Sequence, residues 1–277
     1  MKLKNAAKAF DTTKAVDAYN VFSSFMCQVE PLDMYRTEGT RIKIRNMSTA
    51  PAVDVPTRRV IKLDAQAYLV SDASYDYWGK EKIRARYVIQ GADYVVEIRT
   101  IPEVLAEVAG LQAYASIDFN KYGTDERDNS DYHPQYHIFF GEKETEVQEN
   151  SIISTSTRSY LVKNSYTTTS GLVDALCNEL DSPVIDSATF KDRTYSPVTD
   201  SYTESSSTVR CIRVRWQDHF KYLSQGSKDF ERGDMVVFVP LSMTPNSGDT
   251  FTLVDGTWRV LTSVQFSGYR SLHVRRA

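Results

Sequence analysis

R-G-D-M-V-V-F-V-P-L-S-M-T-P-N-S-G-D-T-F-T-L-V-D-G-T-W-R-V-L-T-S, from Arg232 to Ser263, decides the fold. Met235 to Val239 is rich in the β-branched and aromatic residues that suit a pleated sheet. A proline-bearing loop follows, and then Thr250–Val254 and Thr257–Leu261 flank Asp255-Gly256. That dipeptide is a strong hairpin signal, because the tight turn needs a positive φ that glycine adopts without steric cost. Nothing in the stretch is poised for catalysis. It is built to hold a shape.

The same grammar extends in both directions. Val209–Trp216, Ser263–Phe266 and Ser271–Arg275 read as further strands of a C-terminal module over 209–277. Upstream, Arg41-Ile42-Lys43-Ile44-Arg45 alternates, which predicts a half-buried strand with the isoleucines inward. Val60–Leu63, Ala67–Val70, Ile83–Ile89 and Tyr94–Ile98 complete a barrel-like module over 33–100. His137–Phe140 and Tyr160–Val162 are also strand-like. Short strands separated by turns about every 8–12 residues predict a mainly β protein of antiparallel small barrels or sandwiches, with a few short helices.

Three helices are expected. Residues 5–26 carry Phe10, Val16, Tyr19 and Val21–Phe25 as apolar positions, giving an N-terminal helical segment over 1–32 that Pro31 ends. Thr100 and Pro102 open a short helix that Gly110 stops. Leu172, Ala175, Leu176 and Leu180 share one face of a helix over 171–180. Thr189–Thr208 is rich in Ser, Thr and Tyr and reads as long loops or extended arms, so 101–208 forms a central region with helices and long loops.

An internal repeat is legible. Gly39 opens a strand, a proline-bearing loop crosses, and V-I-K-L-D-A-Q-A-Y-L-V-S follows from Val60. Gly233 opens a strand, a similar loop crosses, and T-F-T-L-V-D-G-T-W-R-V-L follows from Thr250. Tyr68 and Trp258 fall at matching places, and two such modules are expected.

Length and composition narrow the function. A chain of 277 residues suits two compact units or one large β domain. Hydrophobic content of 41% supplies a real core, while a net charge of −3 argues against nucleic-acid binding by bulk positive charge. The 17 tyrosines and 12 phenylalanines suit pleated sheets and protein interfaces. Cys27, Cys177 and Cys211 are sparse, odd in number and form no C-x-x-C, so buried reduced thiols are expected. The N-terminus lacks the apolar core of a signal peptide, and no run reaches the roughly 20 apolar residues of a membrane span. A soluble protein made in the cytoplasm is the expectation.

Catalytic and metal motifs are weak. His133 and His137 have the i, i+4 spacing of a helical metal pair, but Pro134 and Ile138-Phe139-Phe140 favour a strand, and no glutamate follows His133. Asp125–Asp131 lacks the glycine and distal glutamate of a calcium loop, and Glu142, Glu144, Glu146 and Glu149 read as a solvated acidic face. No phosphate-cradling loop or nucleophile elbow is present, so no enzyme, metal or cofactor is expected. A paired-carboxylate glycosidase stays open, since that geometry leaves no sequence pattern.

The stretch from Arg232 to Val260 resembles the head–tail connector proteins of tailed bacteriophages, in the head-closure or stopper group. The resemblance lies in a charged Gly-Asp step before a strand, a long loop, and a hairpin reading D-G, aromatic, x, V. It covers about the last sixty residues, and Gly39–Val70 faintly. It implies a small β-barrel assembled as a homo-oligomeric ring between portal and tail, without catalysis, in the virion. Its partners would be portal, adaptor or tail proteins, with DNA passing through the channel. This chain is much longer than a typical stopper.

The loop residues Pro240, Leu241, Met243 and Pro245 would then reach a neighbour. The strand arginines Arg213, Arg215, Arg270 and Arg275 are interface candidates, since guanidinium pairs bidentately with carboxylates. The alternatives are a tail or baseplate component, or a β-sandwich carbohydrate-binding protein or glycoside hydrolase using Trp78, Trp216 or Trp258. Core packing is the expectation for all three tryptophans. A tryptophan displayed in a groove would favour the sugar-binding class.

Overall fold

The computed structural model describes residues 5–10, 21–31, 44–55, 60–63, 66–120, 135–141, 147–169, 171–180, 184–196, 198, 200–215, 231 and 233–277. Among them the chain is mainly β and builds three closed six-stranded antiparallel barrels. The first comprises β1 (Asn5–Phe10), β2 (Val21–Pro31), β3 (Ile44–Thr49), β4 (Val60–Leu63), β5 (Gln66–Trp78) and β6 (Glu81–Gly91). The second comprises β7 (Tyr94–Thr100), β8 (Leu111–Asn120), β9 (Gln135–Phe140), β10 (Ser151–Ser154), β11 (Ser159–Thr167) and β12 (Val173–Leu180), with the helix α1 (Ile101–Leu105) between β7 and β8. The third comprises β13 (Ile185–Ser196), β14 (Ser201–Arg215), β15 (Met235–Pro240), β16 (Thr250–Leu253), β17 (Gly256–Gln265) and β18 (Tyr269–Arg276).

All three barrels have one topology. Within each, the strand order is first, second, third, sixth, fifth, fourth, and the fourth closes on the first. The repeat extends to side chains. An apolar residue of the fourth strand faces an aromatic of the fifth in Ile61↔Tyr68, Ile153↔Tyr160 and Phe251↔Trp258. On its other side that apolar residue pairs with the first strand, at Ala9, Ile98 and Phe190.

Tyr68, Tyr160 and Trp258 are all buried in their barrel cores. Each turns its polar tip to a residue at the fourth–fifth hairpin, as buried tyrosine and tryptophan require. Tyr68 donates its hydroxyl proton to Gln66 Oε1 at 2.8 Å, Tyr160 bonds Arg158, and Trp258 Nε1 donates to Asp255 Oδ1 at 3.1 Å. Within the described residues, the repeat read between Gly39–Val70 and Gly233–Leu261 corresponds to strands three to five of the first and third barrels, and a further copy lies between them.

The long crossover from third to fourth strand is used alike in each barrel. It returns an apolar residue to the core: Val55 in the first, Val147 in the second and Met243 in the third. In the first barrel the crossover is also fastened by Tyr87, whose hydroxyl donates to the Val53 carbonyl at 3.1 Å and accepts from the Val55 amide at 3.0 Å.

The chain divides into two compact units. One holds the first two barrels, joined by Val60, Ala67, Leu69, Ala92 and Leu172 with Tyr114 and Phe139 packed against them. The other holds the third barrel together with residues 101–109, so α1 leaves the β7–β8 connection to join that unit. Ile101, Val104 and Leu105 of α1 are buried, and the helix contacts β14 and β15. The outward residues Val236 and Phe238 of β15 are fully buried alongside Val237 and Val239 of the inner face. That explains why Met235–Val239 is a continuous apolar run rather than an alternating one. Pro102 and Gly268 meet so closely that a Cβ at 268, where φ is 88°, would sit 2.7 Å from the Pro102 ring.

The structure corrects several expectations. The helix expected within 5–26 is instead β1 and β2, with residues 11–20 outside the described set. Along β2 the buried Phe25 and Cys27 alternate with exposed Ser24 and Met26, the period of a strand. The helix expected over 171–180 is β12. Val173, Ala175 and Cys177 line the barrel core while Asp174 and Asn178 on the outer face are buried too and Leu176 is half-buried, so apolar residues fell at helical spacing by coincidence. The helix at Thr100–Gly110 is present as α1, though only five residues long.

Thr189–Thr208 is neither loop nor linker but the paired strands of the β13–β14 hairpin. The expected central region 101–208 therefore contains most of the second barrel. In the predicted strand Arg41–Arg45 only Ile44 and Arg45 are described, and Ile44 is exposed rather than inward. The C-terminal two-residue turn is Val254–Asp255, closed by the pair Leu253↔Gly256, and the positive φ of 138° falls on Gly256.

Equivalent positions should respond alike. Tyr68→Ala, Tyr160→Ala and Trp258→Ala are each expected to lower stability by about 3–5 kcal/mol in denaturant unfolding, the usual loss for a large buried aromatic. A loss below about 1 kcal/mol at any of the three would contradict the equivalence.

Candidate interaction surfaces

Two hairpins outgrow their barrels. β4 pairs with β5 only over Gln66–Leu69, and β3 pairs with β6 only over Ala85–Gln90. Beyond those limits β5 and β6 continue as a two-stranded ribbon through Asp76↔Arg84, Tyr77↔Lys82 and Trp78↔Glu81, with a bulge at Ile83. Gly79, at φ 60°, makes the turn with Lys80.

The ribbon is braced by charge. Arg86 Nη2 lies 2.8 Å from Asp76 and Arg84 Nε 3.6 Å from it, Tyr75 donates to Asp54 Oδ1 at 3.0 Å, and Lys82 Nζ stands 3.8 Å over the Tyr75 ring. Its end nevertheless leaves Trp78 81% exposed, Tyr77 60% and Ile83 48%. Clustered exposed apolar groups on a folded protein mark a contact surface more often than chance.

The second ribbon is β13–β14, paired from Ile185↔Ile212 to Ser196↔Ser201. β16 reaches only Thr189 and Phe190, and β15 joins β14 only from Ile212 onward. Among the described residues, 191–196 and 201–206 pair only with each other, which leaves backbone edges open for a further strand. Their Ser/Thr/Tyr composition offers little apolar packing, and Val198 at the turn is 92% exposed. A bare two-stranded hairpin is marginal in water, so a partner edge would stabilise it.

The expected interface residues have contacts within the chain. Leu241 is exposed, but Met243 packs against the core and Pro245 is buried, so the Pro240–Ser247 loop is folded onto its own barrel. Arg270 Nε donates to the Met243 carbonyl at 3.1 Å and fastens it there. Arg213 is only 11% exposed, bonded to Asp186 at 2.9 Å and also to Asp255. Arg275 pairs with Asp234 and Glu231, each at 2.8 Å. The side chain of Arg215 lies outside the described residues.

Trp258 is in the core as expected and Trp216 is outside the described residues, but Trp78 is a correction to the expectation of burial. The signal for it was Tyr77-Trp78-Gly79-Lys80-Glu81, a glycine turn flanked by aromatics beyond the reach of the neighbouring strands.

Two acid–histidine clusters tie strands together. Asp234, of the Gly-Asp step, is buried and holds His273 Nε2 at 2.8 Å, Arg275 Nε at 2.8 Å and the Glu231 amide at 2.9 Å. It ties the start of β15 to β18. On the outer face of the second barrel, Asp174 accepts from His137 Nδ1 at 2.9 Å and from the Tyr166 hydroxyl at 2.5 Å.

His133, His219 and Asp125–Asp131 lie outside the described residues, as do Glu142, Glu144 and Glu146, while Glu149 is exposed. Among the described residues no three His, Cys, Asp or Glu side chains are grouped to hold a metal. Cys27, Cys177 and Cys211 are free and buried. Burial pushes the Cys27 thiol up to about 11 and Cys211 to about 12, and raises Cys177 well above its ordinary value, which leaves little nucleophilic thiolate. No described helix is long and apolar enough to cross a membrane. No family model, curated protein or solved structure matches the chain.

The two described histidines carry opposite pH signs. Burial lowers His273 despite the Asp234 carboxylate beside it, whereas the Asp174 bond raises His137 against its desolvation. Asp234 is also lowered: burial opposes this, but the bonds from Arg275, the Glu231 amide and His273 outweigh it. Stability from a lowered group is present above its unfolded value, about 6.5 for His and about 3.9 for Asp, and is lost as pH falls. Stability from His137 is complete below about 6.5 and fades as pH rises through its raised value. Urea unfolding across pH should therefore show His137→Gln removing a loss on the alkaline side and His273→Gln removing one on the acid side. Superimposable pH profiles for the wild type and both variants would contradict these assignments.

Proposed function

We propose that the protein is a non-enzymatic structural component that assembles as a homo-oligomeric ring. The setting is the one its C-terminal motif resembles, the head–tail connector of a tailed bacteriophage. The observation that carries the reading is the β5–β6 ribbon, which holds Trp78 81% and Tyr77 60% in solvent while Tyr68, Tyr160 and Trp258 lie in the barrel cores. Closed barrels supply rigid bodies with no free sheet edge, and the two ribbons supply edges and apolar ends for contact between subunits. The acid–histidine clusters hold strands together in this reading, since their carboxylates are already engaged. Portal, adaptor or tail proteins of the same virion are the partners it implies, with DNA in the channel.

Carbohydrate binding is the second reading, and Trp78 is the observation that favours it, because an exposed indole can stack on a sugar ring. Light scattering over a range of concentrations separates the two. The expected result is a mass that climbs with concentration in the wild type and stays at one protomer in the double variant Tyr77→Ser, Trp78→Ser. Because both side chains lie beyond the barrels, the variant should unfold at an unchanged temperature. A wild type that remains at one protomer, with Trp78 fluorescence shifted by oligosaccharides, would overturn the assembly reading in favour of sugar binding.

A further inference from the structure

The ribbon end has a complementary surface at the far end of its own strand. A groove of about 370 Å³ is lined by Lys62, Ala67, Asp93, Tyr94, Val95 and Tyr114, where the first two barrels meet within one compact unit. Tyr94 and Val95 are each 46% exposed, an apolar step on an otherwise polar rim. Lys62 Nζ stands 5.3 Å over the Tyr114 ring, and Asp93 Oδ1 accepts from Gln66 Nε2 at 2.6 Å, so the groove carries one cation and one anion at fixed places. The ribbon end carries the matching pair, Lys80 and Glu81, next to Trp78.

Geometry excludes self-filling. Ala67 lines the groove and Trp78 ends the ribbon, and both belong to β5. Eleven residues of strand at about 3.3 Å each place them roughly 35 Å apart. The ribbon end of one chain reaches such a groove only on another chain.

Resting on the assembly reading above, we propose that the partner of the β5–β6 ribbon is the Tyr94–Val95 groove of a second copy. Tyr77 and Trp78 pack on Tyr94, Val95 and Tyr114, with Lys80 toward Asp93 and Glu81 toward Lys62. The contact joins two different patches, so it is head-to-tail. Repetition of such a contact closes a ring when the rotation allows, and otherwise grows a filament.

Complementation tests this. The ribbon variant Tyr77→Ser, Trp78→Ser keeps its groove, and a groove variant Val95→Glu keeps its ribbon, with Tyr94→Ser as a second groove variant should the first fold poorly. Each alone should self-associate about tenfold or more weakly than the wild type in sedimentation velocity, the loss expected from truncating an aromatic anchor. Mixed in equal amounts, the two kinds should form a species of two protomers and no larger, because only one intact contact can be made. A wild type that assembles while the mixture yields only single protomers would overturn the head-to-tail contact and leave the assembly reading standing. A wild type that never assembles would overturn both.

Discussion

Each barrel depends on one closing contact. The fourth strand must return from the third across a long crossover and pair with the first, and it does so beneath an aromatic of the fifth. Ile61 under Tyr68, Ile153 under Tyr160 and Phe251 under Trp258 are three instances of that contact. Each brings strands from the two ends of the barrel's sequence onto one buried side chain, which lets sparse apolar material close a cylinder. The crossover residues Val55, Val147 and Met243 then fill the core from the loop side. Three similar solutions in one chain, sharing strand order and aromatic position, describe a fold built by repetition.

Closure also decides where the protein can touch others. A closed barrel has no edge to offer, so unpaired backbone survives only where strands run beyond their neighbours. β5–β6 and β13–β14 extend in this way as two-stranded ribbons, and each ends in exposed apolar side chains, Trp78 in one and Val198 in the other. The arginines also have contacts within the chain. Arg213 and Arg275 pair with Asp186, Asp255, Asp234 and Glu231 inside the third barrel's unit, where they tie strands together. The Gly-Asp step that carried the family resemblance has a local purpose as well, since Asp234 anchors β15 to β18.

Much of the third barrel was legible because its hairpin is marked by glycine and its strands by β-branched runs. The match of Tyr68 to Trp258 was legible for the same reason. The second barrel was not, because its copy of the motif carries a longer turn, Thr155–Arg158, and no glycine. β12 was misread because a strand covered on both faces loses its alternation, and Leu172, Ala175, Leu176 and Leu180 then fall at helical spacing. The intrachain partners of the arginines were not legible, because sequence shows which residues share a face, not what pairs with them. Trp78 was taken for core by residue type, and only strand lengths reveal that β5 outruns β3 and β4.

In the proposed assembly the barrels are complete in one chain while the ribbons are completed by another. Amide hydrogen exchange, compared between dilute and concentrated protein, addresses it directly. The account predicts slow exchange along the barrel strands at every concentration, and in the ribbon segments 76–84 and 191–206 a change from fast to slow as subunits associate. Ribbon amides that exchange at one rate regardless of concentration would contradict it.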